Sequence, residues 1–505
     1  MTFARTTLFP SYNPGFGAFH FGGNLNSQHG FITKFDPDGK RLWATAVRIQ
    51  PFGALHNLTT DSQGNIIVIG STNQTNGTFP LVDPGNGAYH QTTSRGGNFE
   101  TILFQFSSGG VMTWSTYFGS GGNELAFAIA VDEKDHLYIG GSHSSLDSRN
   151  YTGGDFPRQY KTGAYNDTSY FNSYPAPFYG SVGFLAEFDA QRRLVWNTFM
   201  GQGEVYNLKF NAQKELVVLA QTNILSFPTV NPTPVTGTAY FEDCSGGCST
   251  TAGTALAILD TTHQIRYASF MMPGKRSVDL AIDNAGRMYM ASGGSVSYAN
   301  SQLLFRDFGN GAFFQPEDRR RRGQTSYLMR LNDSLQVDWA TLIGYTGNRN
   351  YYMGINDIAI DRQQNIIAVA TASGYPSSST ILVPNGTSYF DPIEGNPQGR
   401  FGNFGQDGFV MRFMPNGVLD WSTYYGDRGG EGLNDLSINS RNEYWISGTV
   451  DARSCNLSSI TFRPDSGQAY FDGIGPINGD WRYDDYQEGF IARFSQQPIS
   501  GAQDS

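Results

Sequence analysis

The chain has 505 residues, a net charge of −10 at pH 7, and charged side chains at 15% of its positions. It is rich in Gly (61 residues), Phe (37) and Tyr (27). The low charge argues against a long helical or coiled-coil protein, and the aromatic content argues against a disordered chain, because aromatic side chains can bury a large core. The acidic balance also argues against nucleic acid as a partner, since duplex binding needs a basic face.

The sequence predicts neither a membrane span nor a signal peptide. It has no apolar run of about 18 residues, the length that a membrane-spanning helix requires. Residues Met1–Thr7 have no apolar core of the kind that signal peptides contain. Because the chain begins inside a repeat, we expect it to be a piece of a longer exported protein whose signal peptide lies outside this sequence.

One unit repeats along the chain, and the chain starts in its longest loop. Residues 9–20 (Phe-Pro-Ser-Tyr-Asn-Pro-Gly-Phe-Gly-Ala-Phe-His) match residues 79–90 (Phe-Pro-Leu-Val-Asp-Pro-Gly-Asn-Gly-Ala-Tyr-His) position by position. Weaker copies begin at Phe156-Pro157 and Phe227-Pro228. We expect these motifs to pack each loop onto its unit, and we expect the long loops to share one face of the protein.

A strand that ends in Phe or Leu follows each loop and is the third strand of the unit. A tight turn, such as Asp36–Gly39, then leads into the next strand. The seven third strands are predicted at residues 30–35, 101–106, 183–188, 255–259, 326–331, 408–413 and 489–494.

The fourth strand of the unit is marked by one aromatic residue, which is followed in most copies by Ala-Thr or Ser-Thr. Successive copies of this residue are 71 to 82 positions apart. We interpret it as a structural residue of the repeat. The six copies are Trp43, Trp114, Trp196, Tyr267, Trp339 and Trp421.

Two further strands complete the unit. The first strand ends in Asp or Asn, as at Asp61, and an apolar second strand follows, as at residues 65–70 (Asn-Ile-Ile-Val-Ile-Gly). The second strand is apolar on both faces, which predicts that both faces are covered. Four short strands joined by turns predict one antiparallel sheet, and a sheet covered on both faces is typical of a propeller blade.

The predicted fold is therefore an all-β propeller of four-stranded antiparallel blades over residues 1–495, with residues 496–505 as a tail or a linker to a missing region. The sequence contains seven third strands but six of each other type, so the first and last blades are incomplete. Seven blades are preferred over six, because a six-bladed ring would leave one third strand with an unpaired edge.

These motifs resemble the SBBP-type β-propeller repeats of bacterial surface and secreted proteins. Residues 113–119 and 420–426 are similar to the Trp-Ser-Thr-Tyr-x-Gly strand of that family, and the resemblance covers nearly the whole chain. It implies a seven-bladed propeller that is exported to the cell surface or outer membrane, in bacteria with gliding motility or type IX secretion. It implies no particular ligand, because propellers serve both enzymes and binding proteins.

The cysteines favour an oxidising compartment. Cys244 and Cys248, four residues apart in a Gly-rich segment, are interpreted as a small loop disulfide, with two inert thiols as the alternative. A zinc site would need more ligands, and the one remaining cysteine, Cys455, is distant in the sequence. No metal and no other cofactor is predicted.

Residues outside the repeat pattern are the candidates for recognition, because long loops on a rigid scaffold often carry function. The run Arg319–Arg322 is either a solvated part of a loop or a contact for an acidic partner. The candidate binding residues are Tyr151, Tyr160, Tyr170, Tyr351, Tyr352, Trp481, Tyr483, Arg320 and Arg321.

Two functions remain open. The favoured one is a non-catalytic scaffold that binds an envelope protein or a glycan through its long-loop face, because the sequence has no nucleophile elbow, P-loop or paired metal-binding histidines. The alternative is a polysaccharide hydrolase or lyase with carboxylates at the central channel. Glu124, Glu204 and Glu431 recur between units. They would either line the channel mouth or accept hydrogen bonds from the backbone of the turns.

Overall fold

The structure is a computed structural model of the chain. Within the part of the chain that it describes, all regular elements are β-strands, and no helix is present that would be long and apolar enough to cross a membrane. The described residues are 11–21, 29–49, 53–73, 79–95, 99–144, 156–167, 180–222, 227–231, 239–243, 253–273, 277–292, 307, 309, 311–315, 326–344, 352–373, 383, 406–426, 431–451 and 487–495.

The strands follow the predicted repeat. In chain order they are β1 (His29–Phe35), β2 (Arg41–Arg48), β3 (Ala54–Thr60), β4 (Ile66–Thr72), β5 (Glu100–Phe106), β6 (Met112–Phe118), β7 (Asn123–Val131), β8 (Leu137–Ser144), β9 (Val182–Phe188), β10 (Leu194–Phe210), β11 (Leu216–Thr222), β12 (Gly253–Leu259), β13 (Ile265–Pro273), β14 (Ser277–Ile282), β15 (Met288–Ser292), β16 (Ser326–Leu331), β17 (Val337–Ile343), β18 (Tyr352–Ile360), β19 (Ile366–Ser373), β20 (Gln406–Phe413), β21 (Leu419–Tyr425), β22 (Glu431–Ile438), β23 (Tyr444–Asp451) and β24 (Gln487–Phe494).

These strands form antiparallel sheets in which each strand pairs with its neighbours in sequence. Strands β3–β6, β14–β17 and β18–β21 are four-stranded sheets, β1–β2 is a pair, and β22–β24 is three-stranded. Strands β7–β13 form one seven-stranded sheet, because β10 serves as the fourth strand of one unit and the first strand of the next. The predicted all-β class and the four-stranded antiparallel sheets are confirmed.

Glycine makes the continuous strand β10 possible where the two units meet. The first half of β10 pairs with β9, and the second half, from Gly203, pairs with β11. Gly203 has φ +138, and a Cβ atom at this position would lie 2.0 Å from the carbonyl oxygen of Gln221. Only glycine fits such a close approach of two backbones without displacing one of them.

The second strands are buried on both faces, because each lies in a sheet with neighbours on both sides. In β4, Ile66 and Val68 pack with residues of β1 and β2, whereas Ile67 and Ile69 pack with residues of β8 and β9. Strand β19 is buried in the same alternating way. This alternation explains the continuous apolar runs, since each face of the strand contributes to a different core cluster.

The six repeated aromatic residues on the fourth strands are all buried. In four units the indole Nε1 donates a hydrogen bond to a loop carbonyl, and the acceptor is the aromatic residue of the Gly-Ala-Phe or Gly-Ala-Tyr segment. These bonds are Trp43 to Phe19 (3.0 Å), Trp114 to Tyr89 (2.9 Å), Trp196 to Tyr165 (3.2 Å) and Trp339 to Phe313 (2.9 Å).

The first long loop contacts two sheets. Tyr12 pairs with Ala44 at the outer edge of β2, and the Phe19 amide donates to the Gly110 carbonyl in the turn between β5 and β6. The loop backbone therefore covers part of the exposed strand edge of its own sheet and reaches a turn of the next one. The expectation that the long loops share one face of the protein stays a prediction.

The chain divides into two compact units. They consist of Met1–Thr233, Phe241–Met271 and Ser466–Tyr470 (unit 1), and of Pro234–Tyr240, Met272–Asp465 and Phe471–Ser505 (unit 2). The single propeller over residues 1–495, the tail at 496–505, the closure of a ring and the count of seven blades stay predictions.

Candidate functional site

Of the predicted recognition residues, Tyr160 is the one whose side chain is described. It lies in the loop 156–167 of unit 1, and 48% of its surface is exposed. Tyr352 begins β18, but its side chain lies outside the described part of the structure. The remaining candidates, and the cysteines of the predicted disulfide, lie outside the described residues: Tyr151, Tyr170, Tyr351, Trp481, Tyr483, Arg320, Arg321, Cys244 and Cys248.

A second exposed aromatic site lies in the first long loop, which sequence analysis treated as packing only. Phe16 is fully exposed, and its φ of +55° is unusual for a bulky residue. The matching position of the next repeat holds Asn86 at φ +58°, a residue that tolerates this conformation. Nearby in the same loop, the ring of Tyr12 is 44% exposed and lies 5.5 Å from the guanidinium of Arg41.

Three aspartates form a row on the first strands of unit 2, and we call them the Asp ladder: Asp279 on β14, Asp357 on β18 and Asp435 on β22. Each follows a bulge at which the pairing with the second strand shifts. Asp279 Oδ2 accepts the amide of Ile358 (3.0 Å), and Asp357 Oδ2 accepts the amide of Leu436 (2.7 Å). Asp279 and Asp357 thus each bind the backbone of the following first strand.

The middle carboxyl of the Asp ladder has altered acidity. Burial raises the pKa of Asp357 well above its ordinary value, and the negative charges of Asp279 and Asp435 raise it further. Hydrogen bonding of the protonated Asp357 carboxyl with Asp279 and Asp435 raises this pKa as well. Asp435 is exposed, which gives the row contact with solvent. A protonated carboxyl of this kind can donate a proton to a bound molecule.

The sequence carried a signal for the Asp ladder that repeat analysis missed. Successive copies of the position after the bulge are spaced nearly as the repeat is, and in five of the six repeats this position is polar. Its occupants are Asn57, Ala128, Asn207, Asp279, Asp357 and Asp435. Among the residues that the structure describes, no group of three or more His, Cys, Asp or Glu side chains is arranged to hold a metal ion.

The glutamates that recur between units bind side chains. Glu124 is fully buried, and its Oε1 accepts hydrogen bonds from His143 Nδ1 (2.6 Å) and Ser120 Oγ (2.6 Å). Glu204 accepts from the hydroxyls of Ser181 and Tyr206. The prediction that they accept from the turn backbone therefore needs revision for these two, because hydroxyl and imidazole donors surround them.

A larger cluster of titratable groups surrounds Glu187 in unit 1, and we call it the Glu187 cluster. Glu187 is buried on β9, and its two carboxylate oxygens contact four donors. They are His136 Nδ1 (2.8 Å), the Tyr138 hydroxyl (3.0 Å), Lys161 Nζ (3.3 Å) and His263 Nε2 (3.3 Å). Burial opposes ionisation of Glu187, but these donors outweigh it and lower its pKa below the ordinary value.

Neither a protein-family model nor a curated protein matches this sequence. The chain is similar in structure to the WD40 domain of Neurospora crassa Pan2, with 11% identity, a TM-score of 0.39, and coverage of 83% of this chain and 79% of that chain. It is also similar to a mutant apocarotenoid oxygenase from Synechocystis (7% identity, TM-score 0.35, coverage 79% and 71%) and to a luciferin-regenerating enzyme (9%, 0.32, 88% and 92%). The SBBP assignment stays a hypothesis.

Proposed function

We propose that this chain is a non-catalytic scaffold that binds an envelope protein or a glycan at the surface of a bacterial cell. The proposal includes export from the cell, SBBP-type propeller architecture, and a connection with gliding motility or type IX secretion. Its single most important support is the pair of exposed aromatic loop sites in unit 1, Phe16 and Tyr160. Aromatic side chains on anchored loops supply contact area at a low cost in conformational entropy.

The anchoring of the loops supports binding by a preformed surface. The loop that carries Phe16 pairs with β2 through Tyr12 and receives the indole hydrogen bond of Trp43. The loop that carries Tyr160 is held by the Gln159 amide, which donates to Asn197 Oδ1 (2.7 Å). Loops fixed at both ends lose less freedom on binding, which favours affinity.

The strained backbone at Phe16 also supports a binding role. A bulky residue with positive φ costs roughly 1–2 kcal/mol, and asparagine would remove most of this cost. Phe16 adopts this unfavourable backbone conformation at a position where its side chain is fully exposed. Strain that serves no packing is typical of functional positions.

Site-specific photo-cross-linking on the source cells tests the proposal. A photoreactive amino acid replaces Phe16 or Tyr160, and the cross-linked species are identified by mass spectrometry and by glycan staining. Leu58 on β3 and Ile491 on β24 are matched control positions, because both are exposed apolar residues on strands. We expect adducts with one envelope component from the loop positions and none from the controls. Equal capture from all four positions, or none from the loops, would refute the proposal.

The Asp ladder favours a second candidate, a hydrolase or lyase that acts on polysaccharide. The favouring observation is the raised pKa of Asp357 beside two further carboxyls, because a carboxyl with a raised pKa can act as the general acid that such reactions use. This candidate ranks second, because Asp279 and Asp357 each accept a hydrogen bond from a backbone amide of the next first strand, which gives these carboxyls a structural role.

An activity comparison separates the two candidates. The purified chain and the Asp357→Asn variant are incubated with a panel of bacterial polysaccharides, and new chain ends are measured. Activity in the wild type that disappears in Asp357→Asn would establish the enzyme. Glu133→Gln is the matched control, because Glu133 is exposed in unit 1 and forms an ion pair with Lys214.

A further inference from the structure

The Glu187 cluster connects a long loop of one repeat to a turn of the next repeat within unit 1. Lys161 lies in the loop 156–167, which also carries Tyr160, whereas His263 lies in the turn between β12 and β13. The Tyr165 amide donates a hydrogen bond to the His263 carbonyl (2.9 Å), and Lys161 Nζ lies 3.2 Å from His263 Nδ1. One residue of the turn thus holds the loop through both its backbone and its side chain.

The contacts determine which nitrogen of His263 carries the proton. A lysine ammonium can only donate, so His263 Nδ1 must accept the hydrogen bond from Lys161. Nε2 faces Glu187 Oε2, which can only accept, so Nε2 must carry the proton. His263 is therefore neutral when the loop is held, in the tautomer that has hydrogen on Nε2.

A second proton on His263, at Nδ1, would replace the acceptor of the Lys161 hydrogen bond by an N–H group. Two positive charges would then meet across 3.2 Å. Other groups face His263 as well. Glu187 on β9 and Asp260 in the same turn attract a positive charge, and a hydrogen bond with the Thr262 backbone also favours it. The rings of Tyr138 on β8 and Trp196 on β10 pack against the imidazole.

The balance of these groups favours the neutral form. Burial lowers the pKa of His263 below its ordinary value of 6.5, and the charge of Lys161 lowers it further. These effects outweigh the charges of Glu187 and Asp260 and the hydrogen bond with the Thr262 backbone, which raise the pKa. The folded state thus binds a proton at His263 less well than the unfolded state does. The contribution of neutral His263 to the free energy of unfolding is fully present above pH 6.5 and is lost as the pH falls below that value.

We infer that protonation of His263 expels Lys161 and releases the loop 156–167 from the turn between β12 and β13. The loop is then held at neutral pH and loosened in a mildly acidic medium. The proposed consequence for binding through Tyr160 rests on the proposed function, but the release of the loop does not.

Hydrogen exchange of backbone amides tests the release directly. The Tyr165 amide reports on it, because its acceptor is the His263 carbonyl. After correction for intrinsic rates, we expect exchange at Tyr165 to be about tenfold faster at about pH 5.5 than at about pH 7.5 in the wild type. The variant His263→Gln can accept from Lys161 and donate to Glu187 without titrating, and its ratio should be near one. Gln364 shows that glutamine adopts the required backbone, with φ +65°.

Two further variants complete the test. Lys161→Gln removes the opposing charge, so its exchange at Tyr165 should not depend on pH. His136→Gln is the matched control, because it replaces another imidazole on Glu187, at Oε1 (2.8 Å), and leaves the pair of Lys161 and His263 intact, so this variant should keep the wild-type response. The inference is overturned if exchange at Tyr165 does not change with pH in the wild type. It is also overturned if exchange at Tyr165 in His263→Gln changes with pH as much as in the wild type. Loop release without any loss of ligand would instead contradict only the binding role of Tyr160.

Discussion

Glu100 is a buried carboxyl at the start of β5, and its replacement by glutamine should remove a marked loss of stability with rising pH. Its Oε2 accepts the Arg95 amide (2.9 Å), and Gln91 donates to its Oε1. Burial raises the pKa of Glu100 from 4.5 to about 7, and the negative charge of Glu124 adds to the rise, against the opposing effect of these hydrogen bonds.

The size of the effect follows from the two pKa values. Between pH 4.5 and about 7 the folded chain keeps the proton on Glu100, whereas the unfolded chain has released it. The free energy of unfolding therefore falls as the pH rises, by about 1.4 kcal/mol per pH unit and about 3 kcal/mol in all, and it is constant above this range with respect to Glu100.

Urea unfolding of the wild type and of Glu100→Gln from about pH 4.5 to about pH 8 measures this contribution as a difference between two curves. The difference should change by about 3 kcal/mol over the range, whatever the constant offset of the variant. Glu133→Gln is the control, because Glu133 is exposed and Lys214 lowers its pKa below the ordinary value, so its curve should run parallel to the wild type. Parallel curves for Glu100→Gln as well would refute the reasoning.

Three further predictions concern the repeat, the Asp ladder and the first loop. Trp114→Phe should lower the free energy of unfolding by about 1–3 kcal/mol in urea, because the Tyr89 carbonyl loses its donor and the core loses volume. Asp357→Asn should weaken the fall in stability with rising pH in a calorimetric titration, because the raised pKa means that folding holds a proton. Phe16→Asn should raise the free energy of unfolding in urea by about 1 kcal/mol, and a decrease would contradict strain at this position.

The strands were predictable because their signals are local. The apolar run of β4 and the turn before it lie within a few residues of each other, and the same pattern recurs in every unit. Its burial on both faces followed from the composition of the strand alone. The same reasoning located all seven third strands, from β1 to β24, to within two residues at their first residue.

The path of the loops and the polar clusters were not predictable in this way, because they depend on contacts between sheets. The bond from the Phe19 amide to the Gly110 carbonyl joins the loop of one repeat to a turn of the next repeat. It recurs, for example from the Tyr89 amide to the Arg192 carbonyl, but the repeated motif alone does not show which turn it contacts. His263 and Glu187 are 76 residues apart, and the residues around each of them contain no motif that indicates their contact. The Asp ladder had a periodic signal, but it mixed Asn, Ala and Asp, so composition alone did not separate structure from function.

The contacts between neighbouring repeats explain why a pH response is expected at the Glu187 cluster. The residue before the last position of a third strand reaches the turn of the next repeat in four places, each time with different chemistry. The four contacts are Lys34 to the Ser108 carbonyl, Gln105 with Arg192, Glu187 with His263, and Arg330 to the Pro415 carbonyl.

Because lysine, glutamine and arginine all occupy this position, the scaffold requires a polar contact there and not a particular charge. Glutamine does not titrate, and the ordinary pKa values of lysine and arginine lie far above mildly acidic pH. The contact of Glu187 with His263 is the one of these four that contains an imidazole, the side chain whose ordinary pKa of about 6.5 is nearest to that range. Replacing His263 by glutamine should therefore make this contact as independent of pH as the one between Gln105 and Arg192. The polar contact of Glu187 with the turn between β12 and β13 would remain.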